Sequence, residues 1–137
     1  MTTQTKPEAT WEECAKQLGS RYAKSIEADI ARLRAARDSG DDDAADAIRE
    51  ELQGDALSVS VKSDWHSPGD PEAEDSEYMI LLGAGGPAIR IYGNLGAFNE
   101  PEDAIIQVQD WFQPWTDYRG GDRDALLDYA RLFYFGE

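Results

Sequence analysis

Residues 105–118, IIQVQDWFQPWTDY, decide the fold of this 137-residue chain. The stretch begins with β-branched residues that alternate with polar ones, a pattern typical of a half-buried strand. It ends in aromatic residues around Pro114, and burial of each ring would contribute about 1.5–3 kcal/mol. We therefore predict the last strand of an antiparallel sheet, with an aromatic end that anchors the core. The aromatic residues are Trp111, Phe112, Trp115 and Tyr118.

Three further strands are predicted upstream of the last one, which covers residues 104–111. Residues 57–62 alternate strictly and predict a half-buried strand. Residues 78–82 are apolar on both faces, as expected of a central strand. Residues 88–92 place isoleucines on one side of a strand and Arg90 with a tyrosine on the other. Short connections between these segments favour a four-stranded antiparallel meander.

Two helices are predicted before the sheet. Thr10 followed by a glutamate three residues later is a capping box, which marks a helix start. Apolar residues then recur every three or four positions from Trp11 to Leu33, so one helix face should pack on the core. Gly40 is suited to end this helix. The aspartates at 41–43 open a shorter second helix that ends at Gly54, and the pair forms a helical hairpin.

A third helix is predicted at residues 124–135, with Asp122 as its N-cap, and its apolar end should pack deep against the sheet. The fold class is therefore α+β: an N-terminal helical hairpin, a four-stranded antiparallel meander sheet and a C-terminal helix on the sheet. A chain of this length forms one domain, residues 1–137, and we expect residues 1–9 to be a flexible N-terminus.

The composition narrows the class of protein. Cys14 is the only cysteine, which excludes an internal disulfide and a cysteine-rich zinc site. It falls in the apolar stripe of the first helix, where we expect a buried, inert thiol. The N-terminus resembles no signal peptide, and no stretch approaches the roughly 20 apolar residues of a membrane span. A cytoplasmic location is therefore the expectation.

The net charge of −15 is unusual and unevenly distributed. Residues 1–37 hold seven basic and five acidic residues, whereas residues 38–137 hold six basic and twenty-three acidic residues. Such a surface repels nucleic acids and membranes and attracts basic protein surfaces. We predict no direct nucleic-acid binding and no membrane binding. The charge is also explained if it serves only to keep the protein in solution.

Candidate catalytic and ligand-binding patterns are weak. His66 is the only histidine, and with Asp64 it suggests an acid–base pair or a metal ligand, although a structural role in a turn is the better interpretation. The glycine-rich residues 83–87 lead into a strand, which favours a hairpin turn over a phosphate-binding loop. The aspartates at 41–43 lack the spacing of a calcium loop. The sequence predicts no catalytic residue, no cofactor and no metal, hence not an enzyme.

Clustered carboxylates are the predicted partner-binding residues. Duplex DNA carries one negative charge per roughly 1.7 Å of its axis, and a protein with clustered carboxylates can take its place in a basic groove. The helical hairpin and the loop before the second strand supply these groups. They are Asp41, Asp42, Asp43, Asp46, Glu50 and Glu51 on the hairpin, and Asp70, Glu72, Glu74 and Asp75 on the loop.

Four segments resemble uncharacterised small acidic proteins of bacterial phages and integrative mobile elements: residues 65–69 WHSPG, 85–91 GGPAIRI, 109–116 QDWFQPWT and 129–136 YARLFYFG. In size, acidity and setting such proteins are similar to anti-CRISPR and antirestriction proteins. The resemblance implies a non-enzymatic protein that inhibits a nucleic-acid-handling host defence complex. The basic surface of a nucleic-acid-binding protein or complex would be its partner. The alternatives are an accessory protein–protein adaptor of a mobile element, whose acidity serves solubility only, and a small enzyme that uses His66.

One further surface follows from the strand pattern. Arg90, Tyr92, Gln107 and Gln109 are predicted to share the less apolar face of the sheet. Such a face is either solvated or carries a binding site.

Overall fold

The computed structural model describes residues 11–63, 65, 67–70, 75–84, 87–110 and 114–135. The elements in chain order are α1 (Trp11–Asp38), α2 (Asp42–Gly54), β1 (Ser58–Ser63), β2 (Asp75–Gly83), β3 (Ala88–Asn94), a 3-10 turn (Ala97–Asn99), β4 (Ile105–Gln109), β5 (Thr116–Tyr118) and α3 (Arg123–Ala130). The predicted α+β class, with helices at both ends and an antiparallel sheet between them, is confirmed.

The sheet has five strands in the order β1-β2-β3-β4-β5, so the predicted count of four is wrong. The fifth strand runs back along β4, with Ile106 opposite Tyr118 and Val108 opposite Thr116. This stretch therefore contains two paired strands instead of one strand with an aromatic end. Three residues are too few to show an alternating pattern, which is why the sequence did not reveal β5.

Trp115 does not anchor the core, contrary to the prediction. It is half-buried, and the guanidinium carbon of Arg90 lies 4.1 Å from the centre of its ring. Successive side chains of an extended chain point to opposite faces, so Trp115 faces away from the core side taken by Thr116. Trp111 and Phe112 fall outside the described residues, and their burial stays a prediction.

The helical hairpin has the predicted turn and caps. Gly40 adopts a left-handed φ of 75°, which suits the residue after a helix end. The side chain of Asp41 accepts a hydrogen bond from Ala44 N at 3.0 Å and caps α2. Thr10, the first residue of the predicted capping box, falls outside the described residues.

The C-terminal helix is shorter than predicted. Asp122 caps it as expected, accepting hydrogen bonds from the backbone N–H of Asp124 at 2.9 Å and Ala125 at 3.2 Å. The helix ends at Ala130. Phe135 is nevertheless buried, with its ring centre 4.9 Å from that of Tyr78 in β2, so the segment after α3 still packs on the sheet.

The core lies on one face of the sheet. Ile80, Ile91 and Ile106 are fully buried there, together with Leu33 from α1 and Leu126 from α3. No helix or strand of the described chain covers the other face, where side chains such as Met79 and Tyr92 are half-buried. The two faces therefore differ, as expected of an antiparallel sheet packed on one side.

The first half of α1 buries small residues instead of the larger ones in the predicted stripe. Ala15, Gly19 and Ala23 are buried, whereas Leu18 and Tyr22 are only half-buried. Small side chains let α1 approach β5 closely. Cys14 is half-buried, so the predicted full burial of its thiol is wrong.

A hydrogen bond also ties the start of α1 to the sheet edge. The indole N–H of Trp11 donates to the Thr116 hydroxyl at 2.9 Å. The first turn of the helix is thereby attached to β5, a strand that lies more than one hundred residues away in the chain.

The alternation predicted that strand β1 is half-buried, but the strand is almost entirely exposed. Val59 and Val61 pair with core residues of β2, yet their exposed fractions are 38% and 41%. Helix α1 packs on β4 and β5, near the edge of the sheet opposite to β1. The apolar face of β1 is therefore not covered by α1. The alternation in a strand does not indicate where the helices pack, so the sequence did not predict this exposure.

The connection from β3 to β4 is held by a compact polar network. The Asp103 carboxylate accepts hydrogen bonds from Asn94 N at 2.7 Å and from Asn94 Nδ2 at 3.0 Å. The Tyr78 hydroxyl donates to the Asp103 carbonyl at 2.6 Å. Burial raises the pKa of Tyr78, so this hydroxyl keeps its proton and remains a donor at all ordinary pH values.

Within the described ranges, no helix combines the length and the apolar composition needed to cross a bilayer.

Candidate functional site

Negative charge is concentrated on the second half of the helical hairpin. Residues 38–55 contain eight acidic residues and one basic residue, a net charge of −7. All eight are exposed. We call these side chains the acidic hairpin surface: Asp38, Asp41, Asp42, Asp43, Asp46, Glu50, Glu51 and Asp55.

The packing of α2 explains why these carboxylates face solvent together. Ala45 and Leu52 are buried and fix the side of the helix that faces α1. A residue turns by about 100° around a helix axis at 3.6 residues per turn. Four carboxylates occupy an arc of about 100°, which runs from the flank of the helix to the side opposite Ala45 and Leu52. They belong to Asp42, Asp43, Asp46 and Glu50.

The carboxylates of α2 have a mean axial charge density similar to that of one strand of DNA. Five lie between Asp42 and Glu51, a distance of about 13.5 Å along the axis at 1.5 Å per residue. The mean interval is about 3.4 Å, which equals the axial spacing of charges along one strand of duplex DNA. The surface therefore offers a basic groove a similar linear charge density.

Some of these carboxylates have partners within the protein. Asp46 pairs with Arg49 at 2.7 Å, and Glu51 pairs with Arg32 of α1 at 3.0 Å. Such exposed pairs contribute only about 0–1 kcal/mol and can exchange for other cations. Within the described part of the chain, the side chains of Asp42, Asp43 and Glu50 form neither ion pairs nor hydrogen bonds.

The carboxylates of the acidic hairpin surface also affect Asp29 of α1. Partial burial raises the pKa of Asp29, and the neighbouring carboxylates of Asp55 and Glu51 add to the rise. Arg32 opposes it, since its guanidinium lies 3.3 Å from Asp29 and also pairs with Glu51. Arg32 therefore offsets part of the repulsion where the two helices meet.

Asp41 differs from its neighbours because it caps α2. We expect Asp41→Ala to lower the free energy of unfolding by about 1 kcal/mol, since the cap is lost. Asp41→Asn removes the same charge but keeps a good capping group, so stability should stay near that of the wild type. Urea denaturation of both variants would measure this. Equal losses in the two variants would mean that the charge of Asp41, and not its hydrogen bond, stabilises the helix.

The predicted loop cluster is only partly described. Asp75 is half-buried at the start of β2, opposite Ser63, and Asp70 is half-buried as well. Glu72 and Glu74 fall outside the described residues. The structure thus brings the hairpin carboxylates together on one surface, and the loop carboxylates stay a prediction.

The candidates for catalysis are not placed by the structure either. His66 and Asp64 fall outside the described residues, as do Gly85 and Gly86 of the glycine-rich turn. In the part of the chain that is described, no group of three or more His, Cys, Asp or Glu side chains is arranged to hold a metal ion.

No protein-family model matches the sequence, and no curated protein or solved structure is significantly similar to it.

Proposed function

We propose that this protein is a non-enzymatic binding protein that inhibits a nucleic-acid-handling host defence complex, in the manner of anti-CRISPR or antirestriction proteins. Its acidic hairpin surface occupies a basic groove in place of nucleic acid. The observation that supports this proposal best is the run of exposed carboxylates on α2, whose mean axial charge density is similar to that of one DNA strand. The proposal places the protein in the cytoplasm, where such complexes act.

The electrostatics of the surface suit long-range attraction to a basic target. Clustered charge of one sign raises the association rate, and the effect weakens as salt increases. At physiological ionic strength the field extends about 8 Å, so several carboxylates of one helix act on the partner together. A groove that binds duplex DNA through lysine and arginine side chains provides the matching charge.

The partner is found by capture from a host lysate with the immobilised protein at low salt, followed by elution with increasing salt and identification by mass spectrometry. We expect a nucleic-acid-binding protein or complex that elutes as salt screens the attraction. Duplex DNA or RNA added to the purified pair should displace the acidic protein.

A charge variant tests the surface itself. The variant Asp42→Asn, Asp43→Asn, Asp46→Asn, Glu50→Gln keeps the Asp41 cap and should remain folded. Each rim charge contributes about 0.2–1 kcal/mol, so we expect the loss of four to weaken binding to the captured partner by about fourfold or more at low salt. The salt dependence of binding should become shallower as well. Both are measured by surface plasmon resonance over a range of salt concentrations.

A matched control removes four exposed carboxylates elsewhere: Glu12, Glu100, Glu102 and Asp124. One of them, Glu100, is ion-paired to Arg131, just as Asp46 is paired to Arg49. We expect the control to bind like the wild type. If both variants bind normally and nucleic acid does not displace the protein, the mimicry proposal fails. The charge would then serve solubility, as in the adaptor alternative.

A further inference from the structure

The uncovered face of the sheet carries a second candidate site, built from an arginine and aromatic side chains, unlike the carboxylates of the acidic hairpin surface. Strand register places Arg90 opposite Gln107 and Ala88 opposite Gln109. Arg90, Gln107 and Gln109 therefore share one face with Tyr92, as the sequence predicted. No described helix or strand packs on this face.

Arg90 lies at the centre of this face and is held by four neighbours. Its guanidinium carbon lies 4.1 Å from the ring centre of Trp115 and 5.1 Å from that of Tyr92. Its Nε donates a hydrogen bond to Gln107 Oε1 at 2.7 Å, and its Nη1 lies 3.1 Å from the sulfur of Met79. Stacking and hydrogen bonds thus fix the plane of the guanidinium before any ligand arrives.

Arg90 lacks the carboxylate partner that its neighbours have. Lys62 pairs with Glu77 at 3.6 Å, and Arg119 pairs with Asp117 at 2.9 Å. Among the residues that the structure describes, no carboxylate forms an ion pair with Arg90. Partial burial lowers the pKa of Arg90, and the nearby Asp117 carboxylate opposes this shift without forming an ion pair with the guanidinium.

The charge of this face also differs from that of the rest of the protein. Among the described residues, three basic side chains lie here, two of them paired with carboxylates, in a chain with a net charge of −15. These cations make the face less repulsive to an anionic group than the acidic hairpin surface is. The basic side chains and the two carboxylates are Lys62, Arg90, Arg119, Glu77 and Asp117.

A depression of about 490 Å³ lies beside Arg90. Ser60, Lys62, Met79, Arg90, Tyr92 and Gln107 are among its lining residues. All six are half-buried or exposed, so the depression is a groove at the surface. Sites for small molecules are usually enclosed enough to bury most of the ligand, whereas an open groove of mixed polarity suits a protein segment.

We propose that this groove binds a protein segment that presents a carboxylate beside an apolar side chain. Arg90 forms the ion pair with the carboxylate, and Met79 with Tyr92 contacts the apolar side chain. A planar, fixed guanidinium is the preferred donor for such a pair because it forms two parallel hydrogen bonds with a carboxylate. The proposal does not depend on the acidic hairpin surface or on its target.

A nucleic acid fits the same groove less well. Each phosphate beyond the first would approach a protein of net charge −15, and one unpaired arginine does not offset that repulsion. A segment with one or two acidic residues avoids most of it.

Two peptides test the proposal by titration into ¹⁵N-labelled protein, followed by NMR. In the first, two glutamates flank a valine and a phenylalanine in a short amidated peptide; in the second, both glutamates are glutamines. We expect the acidic peptide to shift the Arg90 Nε–H and Gln107 side-chain signals and to bind about tenfold more tightly than its counterpart, because a charge-assisted pair is lost in the latter.

Variants locate the interaction. We expect Arg90→Gln to abolish the preference for the acidic peptide, and Arg90→Lys to weaken binding about fivefold or more, because lysine neither stacks flat nor binds bidentately. Arg21→Ala removes an exposed arginine of α1 and should leave binding unchanged. Dispersed NMR spectra establish that each variant is folded. The wild-type peptide comparison stands even if an Arg90 variant unfolds.

Three outcomes would overturn the proposal. The first is equal binding of the acidic and amide peptides. The second is a loss of affinity in Arg21→Ala as large as that in Arg90→Gln. A single-stranded oligonucleotide that binds more tightly than the acidic peptide, and in an Arg90-dependent way, would instead assign the groove to nucleic acid.

Discussion

Gly93→Ala is expected to lower the free energy of unfolding by about 3 kcal/mol or more. A methyl group on Gly93 in β3 would lie 2.2 Å from the Asp103 carbonyl oxygen and 2.7 Å from its Oδ1. The backbone at Asp103 has little freedom to retreat, since Tyr78 donates to this carbonyl and Asn94 to the carboxylate. The added carbon would therefore displace the β3–β4 connection and break hydrogen bonds that include a charged acceptor.

A second glycine provides the control for that measurement. Gly54 ends α2, and a Cβ there would meet nothing within 4 Å. Gly54→Ala should leave stability unchanged or raise it by about 0.5–1 kcal/mol, because alanine loses less conformational entropy. Urea denaturation of both variants gives the comparison. A Gly93→Ala protein as stable as the wild type would show that the connection after β3 yields freely, against the network described above.

Local patterns were sufficient for most of the secondary structure. The spacing of Ile26, Ile30 and Leu33 predicted the buried face of α1 because helical periodicity depends only on neighbouring residues. Gly40 and Asp122 were predicted correctly for the same reason, since a cap is a contact within one or two turns. The class α+β follows from these elements and their order.

Burial was harder to predict because it depends on distant segments. The alternation in β1 predicts which residues share a face, and the register confirms that Val59 and Val61 share one. Whether that face is covered depends on the position of α1, which packs at the far side of the sheet. The prediction that Trp115 lies in the core was wrong for a similar reason. The face of the sheet on which it lies depends on how β5 pairs with β4.

For the candidate surface too, features set by neighbouring residues were predicted and contacts between distant residues were not. The sequence predicted the carboxylates of α2, and helical geometry places Asp42, Asp46 and Glu50 on one side. It did not predict that Arg32, nineteen residues from Glu51, would pair with it. Arg90 could be assigned to the outer face from alternation alone, but its contact with Trp115 depends on how β5 pairs with β4.

Gly19→Ala is expected to cost about 2–3 kcal/mol, although alanine is the better helix former. A Cβ at Gly19 would lie 2.3 Å from Cγ of Tyr118 and 2.6 Å from its Cβ. Cβ is bonded to the backbone of β5, so rotation of the ring away from α1 does not remove its clash with the added methyl group. The helix and the strand would have to separate, which would also strain the hydrogen bond from Trp11 to Thr116.

A double-mutant cycle separates this clash from any general intolerance of α1. Tyr118→Ala removes Cγ and Cδ1, two of the three atoms nearest to the added methyl group. In that background we expect the cost of Gly19→Ala to fall by about 1–2 kcal/mol, a coupling typical of residues in direct contact. Urea denaturation of the four proteins measures it. Additive losses would show that the ring of Tyr118 does not cause the clash with a methyl group at Gly19.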